Sequence, residues 1–181
     1  MPVGRRLFPV VAICALALLA VGAVGATAAG KPARNLAAAD QLEGSVLVEL
    51  NVIRRAHGLV PVRLSHPLSA AADAHSRSMG RFGYFEHESR DGSAFWKRVQ
   101  RFYGAGSYGT WSVGENLLWS SGRLHASGAL ELWMKSPAHR ANILTSRWRE
   151  VGLSAVTVAR APGVYGGRDV VIITTDFGVR S

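Results

Sequence analysis

The chain has 181 residues, 21 of them Lys or Arg against 12 Asp or Glu, for a net charge of +9 with neutral histidine. Its one cysteine, Cys14, excludes an internal disulfide, so the fold must rest on a hydrophobic core. Residues 1–28 read as an export signal: Arg5 and Arg6 form a basic start, Leu7 to Val24 is apolar almost throughout, and Ala26-Thr27-Ala28 is a small-residue cleavage site. No basic cluster follows closely enough to hold the run in a membrane, which favours cleavage over an uncleaved N-terminal anchor. Arg5-Arg6-Leu7-Phe8 matches a twin-arginine signal in part. Ile13 before Cys14 is too large for a lipoprotein site. Removing Arg5 and Arg6 from the net +9 leaves +7 on the exported form. Outside the cytoplasm such a surface meets anionic lipid headgroups or wall polymer rather than nucleic acid.

Residues 29–40 are rich in alanine and read as a linker, and residues 41–181 as a single domain. From Gln41, the residues Leu42, Val46, Leu50 and Ile53 recur at helical spacing, and Gly58 after Arg54-Arg55 supplies a C-cap. A second helix is expected over about Pro67 to Phe82, with Leu68, Ala71, Ala72, His75, Met79 and Phe82 on one face. Phe95, Val99 and Phe102 mark a short third helix. Gly104 to Gly114 reads as a loop, and Trp111 and Trp119 as members of glycine- and serine-rich loops. Ala126, Ala129, Leu130, Trp133 and Met134 describe a fourth helix, which Pro137 stops. Ser136-Pro137 also opens a new helix, serine as N-cap and proline at N1, expected over Ala138 to Leu144. The last third changes period. Val151, Leu153 and Ala155 suggest one strand and Val170 to Thr175 a second, joined through Pro162-Gly163 and Gly166-Gly167 as an antiparallel hairpin.

Three polar clusters interrupt this apolar chain: Phe85-Glu86-His87, Gly114-Glu115-Asn116, and the stretch from Glu131 through Trp133 and Ser136-Pro137 to His139-Arg140. Two histidines and two carboxylates can hold a divalent ion or act as an acid/base pair. His139 falls in the first turn of a helix, whose dipole disfavours imidazolium and leaves a ring nitrogen free. Gly114 permits an unusual backbone angle and the Asn116 amide can brace a turn, so the pair aims Glu115. A competing reading is that these groups hydrogen-bond one another and pin the loops. No His-Glu-x-x-His helix and no Gly-x-Ser-x-Gly elbow is present, which removes the common zinc-protease and serine-hydrolase signatures. The remaining histidines, His57, His66, His75 and His125, read as structural.

The order and wording of the three clusters, with Asn51, Arg54 and Gly58 in the first helix and Asp176-Phe177-Gly178 at the end, resemble the bacterial branch of the CAP superfamily: cysteine-rich secretory proteins, antigen 5 and pathogenesis-related 1. The resemblance runs from Leu42 to Gly178 and implies an α+β fold, a three-layer α-β-α sandwich with a small, mostly antiparallel sheet. It also implies a His, Glu, Glu, His groove, for which His87, Glu115 and His139 match the motifs and Glu131 is the best match for the fourth place. These four would be ligands of a divalent metal such as zinc, with Trp111, Trp119 and Asn116 lining the groove. The family carries no agreed catalytic activity.

Two functions compete on these readings. The first is an exported, non-enzymatic binding module for a divalent ion or a small or lipid ligand, in peripheral contact with envelope lipid or wall polymer. The second is a metal-dependent hydrolase acting on an envelope component, with Glu115 as general base.

Overall fold

The computed structural model describes residues 32–181. The export signal over residues 1–28 lies outside the described residues. In chain order the elements are α1 (Pro32–Ala56), β1 (Arg63–Leu64), α2 (His66–Phe82), α3 (Phe95–Phe102), β2 (Trp111–Ser121), α4 (Ala126–Lys135), α5 (Pro137–Ile143), β3 (Glu150–Ala161), a 3-10 turn (Gly163–Tyr165) and β4 (Arg168–Arg180). The sheet has the order β1-β3-β4-β2, with β1 parallel to β3 and the other pairs antiparallel. The α+β reading and the terminal hairpin therefore hold. Helix α1 reaches back to Pro32, through the stretch read as linker. Among the described residues no helix is long and apolar enough to cross a membrane.

Alternation along the strands decides the layering. On β4, Ile173 and Phe177 join the core that also contains Val46 and Leu50 of α1, Leu130 and Trp133 of α4, and Ile143 of α5. Ile172 and Val170, one residue out of phase, pack instead with Met79 of α2 and Leu117 of β2. Leu68 and Ala71 of α2 meet Val99 of α3 and Tyr103 in a third cluster on that second side. Helices thus cover both faces, and the sandwich has three layers. Gly152 explains how closely α2 sits: a Cβ there would lie 2.0 Å from the Leu68 carbonyl carbon, so only hydrogen lets helix backbone touch strand.

Two sequence expectations change. The stretch read as loop around Trp111 and Trp119 is β2, an eleven-residue edge strand paired with β4 from Trp111↔Arg180 to Ser121↔Val170. Glycine and serine masked its period of two. Phe82, placed on the buried face of α2, is instead 42% exposed at the end of the helix.

Candidate functional site

Glu115 anchors the site. As an odd-numbered residue of β2 it points to the α2 and α3 side, together with Val113 and Leu117, and its side chain has no solvent exposure. One oxygen, Oε1, lies 2.8 Å from His87 Nδ1. The other accepts a hydrogen bond from Arg98 Nη2. Arg98 projects inward from α3 and is almost wholly buried; its Nη1 also donates to the His87 carbonyl and the Ser89 hydroxyl, both at 3.2 Å. One guanidinium therefore neutralises the carboxylate and fixes the backbone of the residue the carboxylate orients. Sequence reading passed over Arg98, although its place three residues after Phe95 and four before Phe102, on the same helical face, was the available signal.

The segment carrying His87 is held from below as well. His75 of α2, 1% exposed, donates its Nε2 proton to the Glu86 carbonyl at 2.9 Å. Its Nδ1 is buried with no partner. Burial, which penalises the charged ring, lowers the His75 pKa to about 4. Facing a carboxylate, His87 Nδ1 carries the proton in the neutral ring, and the Nε2 lone pair points away from Glu115. The His87 side chain is 47% exposed.

His139 approaches from the opposite face. It lies in the first turn of α5, as expected, half-buried. Its pKa is lowered, first by burial and then by charge on His87. Asn116 secures that helix. It is 1% exposed, donates to the His139 carbonyl at 3.1 Å and accepts from Asn142 Nδ2 at 3.0 Å. Asn116 therefore braces α5 from within a strand, where a turn had been expected. Gly114 is needed for space rather than for backbone angle, because a Cβ there would stand 2.5 Å from Asn142 Oδ1 and 2.9 Å from Trp148. Ser136 occupies the N-cap of α5, but its hydroxyl makes no capping bond.

Glu131 does not join the group. Buried Trp133 lies two residues on, and positions two apart on a helix point to nearly opposite sides. Glu131 accordingly stands in solvent and pairs with Lys135 at 2.6 Å, which lowers its pKa. The second buried carboxyl is Asp176, directly opposite Glu115 on β4, fully enclosed and without a donor to either oxygen. Burial and the Glu115 charge raise the Asp176 pKa well above the ordinary value. Trp111 and Trp119 flank Glu115 as residues of β2. The Trp111 indole donates to the Tyr103 carbonyl at 2.6 Å, and Trp119 packs edge-on against Tyr165 with centroids 5.3 Å apart.

Among the described residues no group of three or more His, Cys, Asp or Glu is placed to hold a metal ion. A closed tetrahedral cage therefore does not fit. Of the two histidines, His87 is oriented by a buried carboxylate and keeps a partly exposed ring.

An α-β-α sandwich with an oriented imidazole at the rim of its edge strand, and a second histidine on a short helix across that rim, defines the class of protein. The model of the CAP, cysteine-rich secretory protein family matches residues 47–168, and the chain belongs to that family. It is 35% identical over 112 residues to the Bacillus subtilis protein YkwD, covering 61% of this chain and 41% of that one. To the membrane protein YlbC of the same bacterium it is 29% identical over 111 residues, covering 61% and 30%. The chain thus spans well under half the length of the curated relatives it matches. Among solved structures, an extracellular SCP-domain protein from Bacillus anthracis superposes with a TM-score of 0.63 at 23% identity, covering 83% of this chain and 44% of that one. A cysteine-rich secretory protein from Staphylococcus aureus does so with a TM-score of 0.56 at 18% identity, covering 77% and 38%. At those identities the likeness is one of fold.

Proposed function

We propose that the chain is an exported, non-enzymatic binding module of the cell envelope whose His87 and His139 take a divalent cation such as zinc at the open rim of the sheet. One observation carries this reading: a carboxylate with no solvent exposure bonds His87 Nδ1 at 2.8 Å while the ring stays 47% exposed. Such a carboxylate fixes the tautomer and raises the basicity of a ligating imidazole. His139, its charged form disfavoured by burial, adds a second neutral nitrogen. A bound cation would supply positive charge and an exchangeable position for a ligand. Export is supported by the leader-like residues 1–28 and by the likeness to an extracellular SCP-domain protein.

The hydrolase reading is less well supported. Both Glu115 oxygens are engaged and the side chain has no access to solvent, so it is poorly placed to take a proton from water.

Calorimetric titration of zinc into the metal-free protein tests the proposal. H87A and H139A should each abolish the binding heat, E115Q should weaken it about 10- to 100-fold, and E131Q should leave it unchanged. Absence of heat with the parent, or equal binding by H87A, would overturn the cation site.

A further inference from the structure

The end of α2 and the tip of the β3–β4 hairpin meet at one end of the sheet. Val164 N donates to the Gly83 carbonyl at 3.0 Å, joining the 3-10 turn to the residue that follows Phe82. Two apolar side chains emerge there: Phe82, 42% exposed, and Val164, 56% exposed. Arginines are present on both elements. Arg90 stacks on the Phe82 ring at 3.9 Å and Arg81 at 5.1 Å. Arg160 and Arg168 extend from the two strands of the hairpin and are exposed.

The backbone at Arg160 is strained. It has φ 49, the one positive value at a non-glycine residue among the described residues, and sits in the register shift between Val158 and Ala161. A bulge of this kind re-aims a side chain. Asp169, the acid of the hairpin tip, holds the bulge by accepting from the Arg160 N–H at 2.8 Å, which turns its own charge toward the backbone. What faces solvent is a pair of apolar side chains, with Arg81 and Arg90 against Phe82 and the exposed Arg160 and Arg168 on the strands of the hairpin.

We infer that this face, Phe82 and Val164 with Arg81, Arg90, Arg160 and Arg168, docks the protein on an anionic lipid bilayer. Guanidinium groups pair with headgroup phosphates while the apolar tips enter the acyl boundary, and the molecule's net positive charge steers it there. The two apolar residues choose between polyanions: a hydrophilic wall polymer would pair with the arginines and gain nothing from Phe82 or Val164. His87 follows five residues after Phe82, so docking would hold the histidine rim close to the membrane. The inference takes its setting from the export reading and is independent of the cation.

Cosedimentation of the intact chain with vesicles of phosphatidylglycerol and phosphatidylcholine, against phosphatidylcholine alone, tests it. The apolar leader contributes alike to every variant, so the quantity read is the excess binding to the anionic vesicles. The parent should show that excess and lose it as salt is raised. R81E/R90E and F82S/V164S should each reduce it about tenfold. R55E, a charge reversal at the C-terminal end of α1, should leave it unchanged, as should H87A/H139A even if the cation reading fails. All these side chains but the half-buried His139 are exposed, and circular dichroism confirms that each variant folds. Equal binding to both vesicle types, or no loss in either double variant, would overturn the inference. Loss in R81E/R90E with full retention in F82S/V164S would overturn it too and assign the face to a hydrophilic polyanion.

Discussion

Glu115 and Asp176 stand directly opposite one another on β2 and β4, two enclosed carboxyl groups with one guanidinium, that of Arg98, between them and neutrality. Two like charges cannot both persist there without water, and the second carboxyl retains its proton. The sign follows. Asp176 has a folded pKa raised above its unfolded value, so its favourable contribution exists while the proton is held and falls as pH rises from about 4 toward the folded value. D176N removes that dependence and keeps a donor toward Glu115. Denaturant unfolding should show D176N gaining on the parent more at pH 8 than at pH 5, and D176A, which also lacks the carboxyl, should move the same way from a loss of about 1–2 kcal/mol at pH 5. A difference between D176N and parent that is the same at the two pH values would contradict the neutral carboxyl.

His75 gives the opposite slope. Its folded pKa of about 4 lies below the ordinary 6.5, so the unfolded chain binds the proton first and stability is lost as pH falls through that interval. The loss should be on the order of 3 kcal/mol by pH 4. H75Q, which can still donate to the Glu86 carbonyl, should flatten this part of the profile. Chemical denaturation between pH 7 and pH 4 measures it.

Gly114 tests the packing behind His139. In G114A the new methyl meets Asn142 Oδ1, the atom that also accepts from the Trp148 indole at 3.2 Å. The expected cost is about 1–3 kcal/mol of stability, with a shift of α5. Thermal unfolding and the amide spectrum of residues 137–143 would register both. An unchanged spectrum would mean that Asn142 yields without moving the helix.

Arg54 holds the other end of α5. It has no exposure, and its guanidinium donates to the carbonyls of Val60 at 3.0 Å, Ile143 at 2.6 Å, Thr145 at 3.0 Å and Trp148 at 3.5 Å. R54M should cost about 3 kcal/mol or more, because buried carbonyls lose their donor. R54K should recover only part of it, since one ammonium cannot span the same fork. Parallel melting curves of the two variants separate planar geometry from charge alone.

Much of this was legible in the letters because local rules governed it. Pro137 both stopped α4 and opened α5, which placed His139 in a first turn. The β-branched run from Val170 gave β4. Glu131 was misplaced by matching a motif against the helix's own geometry: once Trp133 is core, its neighbour two residues back must face water. Strand β2 was missed because Ser112, Gly114, Asn116 and Ser120 leave one of its faces with Leu118 as its sole apolar side chain, and because Glu115 interrupts the apolar residues Trp111, Val113, Leu117 and Trp119 on the other. Arg98 and Asp176 depend on contacts between distant elements, which no local period reveals.

Consecutive residues of an edge strand serve opposite faces of this protein's sheet. Glu115 serves the loop on one side of the sheet and Asn116 the helix on the other. A slip of one rung against β4 would exchange acid and amide, aiming each at the wrong neighbour. The chemistry is thus encoded as a count along a ladder, and insertions that a surface loop tolerates would, within residues 112–120, dismantle both halves at once.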